Sequence, residues 1–106
     1  MPDLPSVLLC QFDSLEYYSY MILSARLTEA NIKHDIEIID SDSELLTKLS
    51  SEYSEYSIIG FYTCNTDYPR IVRISKEIKK NFKDKVLILG GPYPTLNPLN
   101  IDFNII

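Results

Sequence analysis

Three short apolar runs, SVLLCQF at residues 6–12, DIEIID at 35–40 and SIIGFY at 57–62, are each followed by a stretch of helical periodicity, and a fourth, VLIL at 86–89, closes the series. Strand and helix alternating with little slack between them constrain the fold strongly. Successive strands joined through a helix are parallel, the crossovers are right-handed, and the helices then cover both faces of one sheet. The expected architecture is an α/β, flavodoxin-like or Rossmann-like doubly wound parallel sheet with strand order 2-1-3-4-5. The fifth strand is expected from the terminal FNII, residues 103–106. A complete fold of this kind carries a further helix after that strand, so the 106 residues read as a single domain with its last helix missing, the amino-terminal part of a longer protein.

Local signals place the helices. Asp13 and Glu16 have the spacing of a capping box before a first helix running to about Ala30, and Leu15, Tyr18, Ile22 and Ala25 form its expected buried face. Asn31 suits its termination, because asparagine tolerates the left-handed backbone conformation. Ser41 or Asp42 caps a second helix bearing Leu45, Leu46 and Leu49. Asp67 caps a third, with Pro69 in the first turn where a missing N–H costs no hydrogen bond. Ile71, Ile74, Ile78 and Phe82 line the buried side of that third helix. Gly60, inside the third strand, marks a place where something approaches the backbone closely.

The composition excludes several classes of function. A net charge of −5 opposes nucleic-acid binding, which depends on cationic side chains neutralising phosphates. The basic residues Arg70, Arg73, Lys76, Lys79, Lys80 and Lys83 read as the solvated face of the third helix. No apolar run approaches the roughly 20 residues of a membrane span, and no basic segment precedes the first apolar run. A cytoplasmic protein without membrane or nucleic-acid partners is expected. Cys10 and Cys64 match no zinc or redox spacing and read as small buried apolar residues. His34, the single histidine, falls at the entrance to the second strand and reads as a surface residue. No metal cluster and no nucleophile–base pair can be assembled from these motifs.

In a doubly wound sheet the ligand crevice lies beyond the carboxyl ends of the strands, where the strand order reverses. Three loops meet there, residues 11–15, 62–67 and 90–95, and they hold the candidate site residues. Asp13 is a helix cap or an acid. Thr63, Asn65 and Thr66 offer short hydrogen-bonding groups and are also ordinary loop formers. Gly90 and Gly91 give a ligand access to the backbone, Pro92 and Pro94 stiffen the turn after the glycines, and Tyr62 and Tyr93 offer flat faces or simply pack. A phosphate-binding loop or dinucleotide fingerprint is excluded, since QFDSLE after the first strand contains no glycine.

The stretch at residues 56–98, YSIIGFYTCNTDYPRIVRISKEIKKNFKDKVLILGGPYPTLNP, resembles the cobalamin-binding-like domain that precedes the catalytic barrel in many radical SAM proteins. The shared features are a glycine-containing strand, a Thr/Asn-rich loop, a helix and a strand closed by GGPxPT. The resemblance implies a cobalamin over the carboxyl ends of the strands. Thr63 would contact its nucleotide tail, Gly90 and Gly91 would leave room for that tail, and Pro92, Tyr93 and Thr95 would flank the corrin or an adjoining radical SAM catalytic domain in cis. Where related domains carry Asp-x-His-x-x-Gly, this chain has Asp13 but Leu15 and Tyr18 in place of the histidine and glycine. The resemblance therefore implies no protein ligand to cobalt. Any iron–sulfur cluster and S-adenosylmethionine would belong to sequence beyond Ile106. The competing expectation is a domain of the same fold without cobalamin, serving as a structural or protein-interaction module.

Overall fold

The computed structural model describes residues 5–12, 18–62 and 68–90, with the side chains of Tyr18 and Ser19 outside that description. In chain order the elements are β1 (Val7–Gln11), α1 (Tyr18–Glu29), β2 (His34–Ile38), α2 (Asp42–Ser50), β3 (Ile58–Tyr62), α3 (Tyr68–Asn81) and β4 (Val86–Gly90). The four strands form one parallel sheet in the order β2-β1-β3-β4. The fold is α/β and doubly wound, with the flavodoxin-like strand order expected. The fifth strand, the Asp13–Glu16 capping box and the Asp67 cap lie outside the described residues.

Side chains alternate across a strand, so each strand divides its residues between the two faces of the sheet. Leu8 and Cys10 of β1, Ile59 and Phe61 of β3 and Leu87 of β4 join Leu45 and Leu49 of α2 and Ile71, Ile74 and Ile78 of α3 in one buried core. Leu46, Phe82 and Leu89 pack against its border. The three-and-four spacing of the apolar residues on α2 and α3 is what lets both helices lie on this face. Ser41, not Asp42, caps α2, since its Oγ accepts the Glu44 N–H at 3.2 Å. Asn31 adopts φ 58° after α1, as its residue type suggested.

Helix α1 departs from expectation. Ile22 is 64% exposed and Ala25 is also exposed; Tyr20 is buried, with Ser24 and Leu27 half-buried. The apolar run YMIL (residues 20–23) gives this helix no distinct stripe. Tyr20 sets its rotation, because its hydroxyl donates to the Cys10 carbonyl on β1 and lies 3.4 Å from the Gly60 carbonyl. A polar handle on a buried ring thus wins over the more strongly apolar Ile22.

Edge strand β2 is held by polar contacts. Glu37 accepts from the Tyr53 hydroxyl at 2.8 Å and pairs with Lys48, while Asp35 accepts from the Tyr56 hydroxyl. Carboxylates on an edge strand also discourage pairing with a further chain. On β4, at the other end of the described strand order, Val86 and Ile88 are half exposed.

The two described glycines carry different constraints. A Cβ on Gly60 would come within 3.3 Å of Leu9 Cδ2, so what approaches this backbone is the neighbouring buried side chain. A Cβ on Gly90 would meet no heavy atom within 4 Å. Gly60→Ala is expected to lower stability by about 1 kcal/mol through overpacking, and Gly90→Ala to leave it unchanged or slightly raised. Urea denaturation of the two variants checks the contrast; equal midpoints would contradict it.

Candidate functional site

Parallel pairing brings the ends of the strands to one level. Tyr62 and Gly90, two of the residues singled out from sequence, are register partners at the carboxyl ends of β3 and β4. Gln11 ends β1 opposite Ile38 of β2. Gln11 is only 4% exposed, an uncommon position for a primary amide. Asp13, Thr63, Asn65, Gly91, Pro92, Tyr93 and Thr95, with Thr66 and Pro94, lie outside the described residues.

The half-buried Tyr62 ring meets Tyr20 edge-on, centroids 6.2 Å apart at 82°. Tyr20 is in turn anchored on the Cys10 carbonyl, so the position of Tyr62 is tied to the centre of the sheet. Beside it the missing side chain of Gly90 leaves open space. A fixed aromatic ring next to a bare stretch of backbone provides a flat wall and a gap, a combination suited to a planar ligand.

On the opposite face of the same sheet end, residues that the sequence suggested were solvated form a clamp. Arg70 places its guanidinium 4.1 Å from the Phe12 ring centre, donates Nε to Asp42 at 3.0 Å and reaches the Asp40 carbonyl at 3.3 Å. Arg73 donates to the other Asp42 oxygen at 3.4 Å. Phe12 lies parallel to Phe61, centroids 6.1 Å apart. The basic face of α3 is therefore divided: its amino end ties α3 to the start of α2, and Lys79 donates to the Lys85 carbonyl at 3.1 Å, while Lys76, Lys80 and Lys83 stay at the surface. Charge spacing alone gave no sign of this, because Asp42 and Phe12 approach only through the sheet order.

Burial governs the ionisable groups around the core. It pushes the Cys10 thiol well up, with the Glu37 charge adding to the effect, which disfavours the reactive thiolate. It likewise raises the phenols of Tyr20 and Tyr53. Tyr56 is pushed up to about 12 by burial, reinforced by its hydrogen bond to Asp35 and by that carboxylate's charge. Lys85, buried at the start of β4 with its ammonium against the Ser54 and Tyr56 carbonyls, is shifted down by burial. Among the described residues no group of three or more His, Cys, Asp or Glu side chains is arranged to hold a metal ion. No described helix is long and apolar enough to cross a membrane.

Comparison with family models, with curated proteins and with solved structures gives no significant match to this chain. The fold and the geometry of the site therefore stand on the residues themselves.

A phenol whose pKa is raised in the folded state retains its proton where the unfolded chain has lost it, so its contribution to stability is complete below the unfolded pKa and disappears as the pH climbs through the folded one. For Tyr56 that window runs from the ordinary tyrosine value of 10.0 to about 12. The urea midpoint is expected to fall across this range, and Tyr56→Phe is expected to flatten part of the fall. An unchanged slope in that variant would contradict the assignment.

Proposed function

We propose that this chain is a cobalamin-binding module of a radical SAM enzyme, presenting the corrinoid to a catalytic domain in cis. The observation that carries the reading is the Tyr62–Gly90 pair: a ring held by Tyr20 beside open backbone, at the sheet end where doubly wound folds take their ligands. The GGPYPT sequence beginning at Gly90 supplies the resemblance that makes the planar ligand a corrin. Open space at Gly90, where an added Cβ would meet no heavy atom within 4 Å, supports this reading.

In this reading Tyr62 and Gly90 form the wall and the gap for the cofactor, while Asp13, Thr63, Asn65, Gly91, Pro92, Tyr93 and Thr95 complete the cradle by resemblance. His34, the single histidine, starts β2 at the opposite end of the sheet, so the residues named here would hold the corrin without a histidine on its cobalt. Cobalamin, when bound, supplies a transferable methyl group. The chain's own task is to hold and orient the ring while excluding water from one side. Iron–sulfur and S-adenosylmethionine chemistry belongs to the catalytic domain, and the assembly works in the cytoplasm.

Titration with hydroxocobalamin, followed by the visible absorbance of the corrin, is expected to saturate at concentrations up to about 300 μM. Gly90→Val is expected to weaken binding by about ten-fold or more while preserving the urea midpoint. Absence of any spectral change over that range would overturn the proposal, as would equal affinity in the variant.

A further inference from the structure

At the amino end of the sheet, remote from the crevice, α1 and β2 bring together two side chains that are ten residues apart in sequence. Ser24 Oγ lies 2.7 Å from His34 Nε2, and His34 Nδ1 lies 2.9 Å from the Ile32 carbonyl. A carbonyl only accepts, so in the neutral ring Nδ1 carries the proton and Nε2 presents its lone pair. The Ser24 hydroxyl must then be the donor to Nε2. A hydroxyl donating to an imidazole whose other nitrogen is fixed by an acceptor is the arrangement of an activated nucleophile.

The orientation of Ser24 is unusual for this molecule. Thr28, Thr47, Ser50 and Ser51 each donate their hydroxyl to the carbonyl four residues back. Ser24 turns away from that local partner and reaches across to β2. Both Ser24 and His34 are half-buried, which keeps the pair accessible without dissolving its geometry in water. An open, shallow depression of the surface reaches the imidazole, bordered by Thr28, Asn31, Ile32 and Lys33.

We propose that Ser24 and His34 form an acyl-accepting pair for small esters. Ser24 Oγ bonds to the ester carbonyl carbon as its proton passes to His34 Nε2. The ester C–O bond then breaks, and the departing alkoxide takes that proton and leaves as the alcohol. Water, deprotonated by Nε2, hydrolyses the acyl-serine to the carboxylic acid and restores both side chains.

The two ends of the sheet are separate, so this activity and corrin binding stand or fall independently. The full chain is treated with an alkyl fluorophosphonate, in which Ser24 Oγ displaces fluoride at phosphorus, and the adduct is mapped by peptide mass spectrometry; turnover of p-nitrophenyl acetate is followed in parallel. One equivalent of label on Ser24 is expected, with loss of ester turnover in the labelled protein. His34→Gln is expected to slow labelling about 100-fold, and Ser24→Ala to abolish it, both with native circular dichroism. The mapping on the unaltered chain requires no variant to fold. Label on other residues only, no label above that of the heat-unfolded chain, or an unchanged rate in His34→Gln would each overturn the proposal.

Discussion

The interaction on which the rest of this structure depends is the double pairing of β1. Val7–Gln11 bonds to β2 on one side and to β3 on the other, in register with both. A strand so placed has its backbone groups satisfied by the two ladders, and both of its faces must then be covered by helices. Leu8 and Cys10 turn to the face of α2 and α3, while Leu9 turns to the face of α1. Even Tyr20, which fixes both the rotation of α1 and the place of Tyr62, does so by donating to a β1 carbonyl.

Most of this order was legible in the sequence, because strand-length apolar runs and the three-and-four spacing on α2 and α3 are period signals that survive without tertiary context. The turn of α1 was not legible in the same way. Its apolar residues surround the helix, so periodicity assigned Ile22 to the core, whereas a single hydroxyl contact placed Tyr20 there. Gly60 was recognised as a point of close approach, yet the approaching group is Leu9 from the adjacent strand, a neighbour known only once the strand order is known. Of the residues chosen for the crevice, Tyr62 and Gly90 meet as register partners, a relation that comes from parallel pairing and that spacing alone does not reveal.

Long-range polar contacts were the least legible layer. Arg70 read as one of a row of solvated cations, and it is a stacked, paired clamp between α3 and α2. His34 read as an isolated surface residue, and no nucleophile–base pair was evident; the helix-to-strand turn in fact closes Ser24 onto it. A signal was available in retrospect, since a serine on the inward side of α1 and a histidine at the first position of the next strand are brought to the same end of the sheet by any short turn. The sheet thus has two chemically distinct ends, Tyr62 beside Gly90 at the carboxyl side and a hydroxyl–imidazole pair at the amino side.

The central claim is that β1 is the strand from which the fold cannot be separated, and native-state amide hydrogen exchange tests it most directly. The account predicts that the amides of Leu8, Leu9 and Cys10, with Ile59, Gly60 and Phe61 beside them, exchange only through global unfolding, with a free energy equal to that from urea denaturation. Exchange of the β1 amides through a cheaper, partial opening, while the amides of α3 stay protected, would contradict it.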